Sequence, residues 1–274
     1  MKMPSPDVDG QKRGYVIPIG GAEEKVNDPL ILQKFIELAG GKDAVICVIP
    51  TASQLDDTGT RYEKLLTELG AGKVFSLPIS ERSDAQNQDY VDQLETSTAI
   101  FITGGNQLRL STILGGTPIS KAIRQLNAKG VHVAGTSAGA AIVSQHMITG
   151  GSTGIVPTEN GVNLAPGMGL INTVVVDQHF NERNRLARLL SAVSYNPFLI
   201  GLGLDEDTAA FIDDENVFTV VGSGAVTVID PADVEHSSMA EAGRGQALTL
   251  LNVKLHILAP GSRYDISERQ AYVK

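Results

Sequence analysis

The chain is poor in the residues that build disulfides and metal sites. Its 274 residues include one cysteine, Cys47, five histidines and no tryptophan. One cysteine excludes an internal disulfide and any multi-cysteine metal centre. Cys47 sits in the apolar run AVICVIP, which assigns it to a core. No two histidines have H-x-x-H or H-E-x-x-H spacing, so no metal or other cofactor is expected. Positive charge is also short: 22 Lys and Arg against 31 Asp and Glu give a net charge of −9. Phosphate binding needs a basic face, so no nucleic-acid partner is expected. Uninterrupted apolar runs stay well below the roughly 18 residues of a membrane span. The opening MKMPSPDVDGQKRG is polar, without the apolar segment of a signal peptide. A cytoplasmic protein with no membrane partner is the expectation.

What the chain does have is alternation. Short apolar runs at 15–19, 44–49, 74–77, 99–103 and 131–135 alternate with helical spacing at 28–40, 62–69, 89–96, 108–114 and 119–128. That order predicts an α/β fold whose mostly parallel sheet carries helices on both faces. Ligands of such sheets bind in the loops at the carboxyl ends of the strands. Residues 149–170, rich in Gly, Asn, Thr and Pro, read as a long loop near that edge. A strand at 172–176, a helix at 181–193 and a strand at 199–204 follow. After Thr208 the pattern changes to short β runs, 209–212, 217–221 and 226–229, joined by tight polar turns as hairpins, with a last strand at 248–258. The expectation is one α/β domain over 1–274, with a flexible lead-in at 1–13 and a β-rich extension at 208–274.

The most informative stretch is 131–144, VHVAGTSAGAAIVS. A β-branched run ends in Gly135-Thr136-Ser137-Ala138-Gly139, the G-x-S-x-G pattern of a nucleophile elbow. A strand that turns sharply into a helix strains its apex residue, and only very small residues two places either side let the two segments pass. Ser137 is then presented above the sheet. A helix is expected to follow and to include His146.

A serine needs a base, and the base needs an orienting group. His179 follows a strand end in a DQH context, so it belongs on the same edge as Ser137. His132, His146, His236 and His256 fall within strands, helix or late loops. The orienting carboxylate is expected at the next strand end, where Glu206 is preferred over its neighbours Asp205 and Asp207, which spacing does not separate from it. Asp177 is a further competitor. Acyl transfer also requires backbone N–H donors for the developing oxyanion. Ala138, at a helix start, is the first expected donor, and Gly104 or Gly105 the second, with Gly20-Gly21 a weaker candidate. Finally, Arg183, Arg185 and Arg188 in an acidic chain point to carboxylate recognition. Arg185 and Arg188 are expected on one helix face, with Arg183 near the helix start, where a cation opposes the helix dipole.

Four blocks in order, GGNQ at 104–107, GTSAGA at 135–140, DQHF-x-x-R-x-R-x-x-R at 177–188 and GLGLDEDTA at 201–209, resemble the cyanophycinase family of intracellular serine exopeptidases, relatives of the aspartyl dipeptidases. The resemblance extends from IGGAEEK near the N-terminus into the late β segment. It implies a flavodoxin-like sandwich, similar to class I glutamine amidotransferases, and a homodimer. It also implies hydrolysis of cyanophycin, a poly-aspartate carrying an arginine on each side-chain carboxyl, to β-Asp-Arg dipeptides. Carried over by position, it makes Ser137 the nucleophile, His179 the base and Glu206 the orienting acid. Gln107, Asp177, Gln178, Arg183, Arg185 and Arg188 would line the pocket, Asp177 accepting a guanidinium. The alternatives are an α-aspartyl dipeptidase on the same scaffold and a non-catalytic protein that binds acidic peptides. A glutamine-amidotransferase activity wants cysteine at the elbow, and Cys47 lies elsewhere.

Overall fold

A computed structural model describes residues 4–273. Residues 1–3 of the expected lead-in lie outside that range, and 4–13 form neither helix nor strand. Five strands make the parallel half of a nine-stranded sheet: β1 (Val16–Ile19), β2 (Val45–Ile49), β3 (Lys73–Ser76), β4 (Ala99–Ile102) and β5 (His132–Thr136), ordered β1-β5-β4-β2-β3. Their residues alternate between two cores. Ile17, Ile19, Ile46, Val48, Ala99 and Phe101 pack under α1 (Leu30–Ala39) and α2 (Thr58–Glu68). Val16, Cys47, Ile49, Ile100, Ile102 and Val133 pack against α3 (Gln88–Leu94), α4 (Gln107–Leu114) and α5 (Pro118–Ala128). Both faces are therefore covered, which is why these strands are apolar at almost every position. Burial pushes the Cys47 thiol far above its ordinary pKa.

Ser137 follows β5, and the short α6 (Ala138–Ala141) comes next. The helix after the elbow thus has only four residues. The backbone at Ile142 to Ser144 is captured instead by 168–170, whose N–H groups donate to the carbonyls of Ile142, Val143 and Ser144. His146 opens a strand, β6 (His146–Gly151), which pairs with β7 (Val162–Pro166). The expected loop at 149–170 therefore contains parts of both arms of a hairpin. Its glycines and a register shift between Ile148 and Gly150 hide the strand alternation.

A second sheet contains β8 (Val174–Asp177) and, parallel to it, β9 (Ile200–Leu204). Between them lies α7 (Leu186–Tyr195), shorter at its start than the expected helix at 181–193. The chain at 179–184 makes a turn with left-handed residues His179 and Asn184, which no helix accommodates. β10 (Thr208–Ile212) and β11 (Val217–Gly222) form the expected hairpin and extend the first sheet antiparallel beyond β1. β12 (Val226–Asp230) does not continue it: it pairs with β9 in the second sheet. After the small ladder of β13 (His236–Ser237) and β14 (Leu250–Leu251), β15 (Lys254–Leu258) pairs with β12. The expected strand at 248–258 is thus shorter. A hairpin the sequence reading did not anticipate, β16 (Arg263–Asp265) and β17 (Gln270–Tyr272), completes the first sheet. Residues of both sheets, such as Val176, Leu202 and Val228 with Ile212 and Phe218, share one core.

Candidate active site

The parallel strands β1, β4 and β5 end on one edge, so the turns after Ile19, Ile102 and Thr136 meet there. Ser137 has φ 54° and ψ −109°, a strained conformation for a residue with a side chain. The flanking glycines are required by contact. A β-carbon on Gly135 would stand 2.1 Å from the Gly139 carbonyl oxygen, and one on Gly139 2.2 Å from that of Ile102. Strand β5, the turn at Ser137 and the four-residue α6 follow one another directly.

Ser137 Oγ lies 2.9 Å from His179 Nε2, and His179 Nδ1 lies 2.5 Å from Glu206 Oε1. Three chain segments contribute: the turn after β5, the turn after β8 and the β9–β10 turn. The adjacent acids have other partners. Asp205 accepts the N–H groups of Asn181 at 3.2 Å and Ala225 at 3.1 Å. Asp207 accepts the Glu24 N–H at 2.8 Å and the Ser223 hydroxyl at 2.7 Å. Among the three, Glu206 alone reaches the ring. In the tautomer that donates from Nδ1 to Glu206, Nε2 is left as the acceptor facing Ser137.

Burial pushes the His179 imidazole below its ordinary pKa. The hydrogen bond and charge of Glu206 oppose this, and the positive charges of Arg183 and Arg185 add to it. The ring is therefore neutral near pH 7 and able to accept a proton.

The other histidines lie away from this line. His132 is in β5, where its Nδ1 accepts the Tyr15 N–H at 3.0 Å. His146, His236 and His256 occupy β6, β13 and β15.

Gly104 flanks Ser137: a β-carbon there would stand 3.3 Å from Ser137 Cβ. Ala138 follows directly, at the start of α6, and Gly105 instead packs against the Ala52 carbonyl. Beside Gly105 opens a cavity of about 500 Å³, lined among others by Ser53, Gln54, Asn106, Gln107 and Thr149. Gln107 Nε2 is within 3.4 Å of the carbonyls of Ile148 and Thr149. The contribution of residues 52–54 was not anticipated. Their position after β2, on the same sheet edge, was the available signal.

Arg185 and Arg188 turn to one side, as their spacing predicts, and that side is buried. Arg183 is exposed, in the turn before α7. Arg185 and Arg188 are buried against Asp177. Arg188 Nε donates to Asp177 Oδ2 at 2.6 Å and its Nη2 to Oδ1. Arg185 Nη1 is 3.5 Å from Asp177 Oδ1 and donates to Gln178 Oε1 at 3.1 Å. Asp177, read as an acceptor for a substrate guanidinium, is thus already engaged, and Gln178 is buried with it. Asp177 closes β8, and both guanidiniums reach its carboxylate from the start of α7. Burial and the charge of Arg188 push the Arg185 guanidinium down to about 10. Two cations around one carboxylate leave this cluster net positive.

The carbonyls of Gly20 and Gly21 accept the N–H groups of His179 and Asp207, both at 2.8 Å, and the Gly20 N–H donates to the Thr208 carbonyl at 2.8 Å. Among the described residues, no group of three or more His, Cys, Asp or Glu could hold a metal ion. No described helix is long and apolar enough to cross a membrane.

Known proteins resemble this chain over most of its length. Peptidase family S51 matches residues 16–220. A cyanophycinase of Geminocystis herdmanii is 44% identical over 260 residues, covering 94% of this chain and 96% of the relative. A cyanophycinase of Nostoc sp. is 43% identical over 256 residues, covering 93% and 86%. The crystal structure of a peptidase from an acI-B1 actinobacterium superposes with a TM-score of 0.66 at 24% identity, covering 90% of this chain and 98% of that one; at this identity the likeness concerns the fold.

Proposed function

Since the chain belongs to peptidase family S51 and is a serine-type peptidase, we propose that it hydrolyses cyanophycin to β-Asp-Arg dipeptides, with Ser137, His179 and Glu206 as its catalytic triad. Cyanophycinases at 44% and 43% identity support the substrate. The observation that carries the chemistry is the line from Ser137 Oγ to His179 Nε2 at 2.9 Å and from His179 Nδ1 to Glu206 Oε1 at 2.5 Å.

In this reading His179 Nε2 takes the Ser137 proton as Oγ attacks the peptide carbonyl. The resulting imidazolium is stabilised by Glu206 and returns the proton to the leaving amine. Water, activated by the same nitrogen, then hydrolyses the ester. The Ala138 N–H and a backbone N–H of Gly104 or Gly105 receive the oxyanion; each such donor contributes about 3 kcal/mol to the transition state.

The substrate carries free carboxylates and guanidinium groups in equal number. Arg183, exposed beside His179, is suited to a carboxylate, and Gln107 lines the neighbouring cavity. The Asp177–Arg185–Arg188 cluster acts from behind, through its excess positive charge. A cytoplasmic homodimer is part of the same reading, carried by the family resemblance; sedimentation of the purified protein tests the dimer.

The direct test is incubation with cyanophycin in the presence of a chelator. Release of β-Asp-Arg dipeptide supports the reading. Cleavage of plain Asp-X dipeptides with no action on the polymer replaces it by an aspartyl dipeptidase.

A further inference from the structure

Three consecutive carbonyls, beginning at the last residue of β1, each accept a backbone N–H from one turn of the site. Ile19 takes Ser137 at 2.9 Å, Gly20 takes His179 at 2.8 Å and Gly21 takes Asp207, next to Glu206, at 2.8 Å. The segment that follows carries a carboxylate with no part in the proposed proton transfers. The Glu23 side chain is 1% exposed. Its Oε2 accepts the hydroxyl of Thr136 at 2.5 Å. Its Oε1 accepts the Tyr62 hydroxyl at 2.7 Å and lies 3.1 Å from Lys25 Nζ. Thr136 is the residue immediately before Ser137.

Burying a carboxylate is unfavourable even when it is fully paired, and apolar side chains would fill the same space more favourably. What Glu23 supplies is direction. Ser137 is held at positive φ, and a residue with a side chain persists there only where its surroundings over-determine it. The Ile19 carbonyl fixes Ser137 from the backbone, and Glu23 fixes the preceding residue through its hydroxyl. Tyr62 anchors the other carboxylate oxygen to α2, on the covered face of the sheet.

We propose that Glu23 is a positioning residue for the nucleophile. Through Thr136 it holds the strained elbow so that Ser137 Oγ stays aligned with His179 Nε2. The proposal rests on the reading of Ser137 as nucleophile. Misplacing a reacting atom by about 1 Å costs on the order of a hundredfold in rate. Loss of this tie therefore lowers kcat while the substrate-contacting groups, and KM, stay as they were.

The test compares Glu23→Gln, Thr136→Val and Thr136→Ser with the wild type. Active sites are titrated with a fluorophosphonate, and kcat on cyanophycin is expressed per titrated site. Glu23→Gln and Thr136→Val are expected to titrate fully, with kcat per site and the inactivation rate both down roughly tenfold to a hundredfold and KM within about twofold. Thr136→Ser keeps the hydroxyl and is expected to stay within about threefold of wild type. A merely structural role lowers the number of titratable sites and leaves kcat per site unchanged; that result overturns the proposal. Should Glu23→Gln not fold, Thr136→Val, which removes only a hydroxyl, decides the matter by the same readout. A wild-type protein that the reagent does not label overturns the nucleophile assignment itself, and the positioning role with it. Labelling of the wild type with unchanged rates in the variants overturns the positioning role alone.

Discussion

The imidazole of His179 rests on the backbone of Gly21: a β-carbon at position 21 would stand 2.4 Å from Cε1 and 2.6 Å from Nε2. The ring cannot simply retreat, because Ser137 and Glu206 hold it by its two nitrogens. Gly21 also has φ +101°, which disfavours any side chain. Gly21→Ala is expected to lower kcat/KM at least a hundredfold, on the order of what such displacement of a base costs. Steady-state kinetics with a parallel thermal melt check it: a folded variant with unchanged activity contradicts the contact.

Glu206 and Asp205 are adjacent acids with different partners, and their amide variants should separate accordingly. Glu206→Gln removes the charge that stabilises the imidazolium and is expected to lower kcat roughly a thousandfold or more, with little change in melting temperature. Asp205→Asn changes the group that fixes the Asn181 and Ala225 backbone and is expected to act first on stability. Equal kinetic losses in the two would refute the assignment of Glu206 as the orienting acid.

The pH dependence follows from His179. The base must be neutral, and burial holds its pKa below the ordinary value. The acid limb of kcat/KM is expected below the roughly 6.5 of free histidine. The charge of Arg183 lowers this pKa, so Arg183→Ala moves the limb up; Glu206 raises it, so the residual activity of Glu206→Gln has its limb moved down. The stability linkage has the matching sign. A depressed histidine pKa contributes stability that is full above the unfolded value and lost as pH falls through the folded value. Limbs that move in the same direction in the two variants would contradict the electrostatics.

Arg183 and Arg188 should separate recognition from structure. Arg188 pairs with buried Asp177, and Arg188→Met leaves that carboxylate with less compensation. Breaking a buried pair costs about 3–5 kcal/mol, so a lowered melting temperature is expected. Arg183→Ala, at an exposed position, is expected to raise KM on cyanophycin with little change in stability. Denaturation curves and KM values together check the division. A KM effect of Arg188→Met at full stability would return that residue to the substrate pocket.

The parts of this architecture that were legible in sequence are those with local causes. The alternation of apolar runs and helices reports a sheet covered on both faces. Gly135 and Gly139 report a turn too tight for a β-carbon. What stayed hidden has tertiary causes. Nothing in the spacing of Asp205, Glu206 and Asp207 says which faces the ring; the hydrogen bonds of the flanking pair decide it. The spacing of Arg185 and Arg188 puts them on one side, but nothing in it says that this side faces a buried carboxylate, Asp177. β12 leaves its sequence neighbour β11 for β9, a choice made between sheets. Thr136 lies inside the G-x-S-x-G turn and Glu23 inside IGGAEEK, and their contact joins residues 113 positions apart.

The most direct measurement is the fate of Ser137 during turnover. Wild-type protein is mixed with cyanophycin, quenched in acid within the first turnovers and mapped by peptide mass spectrometry, beside Ser137→Ala. An acyl adduct on the peptide containing Ser137, together with loss of dipeptide release in Ser137→Ala, is the predicted result. Dipeptide release by Ser137→Ala at the wild-type rate, with no adduct on Ser137 in the wild type, would contradict the account.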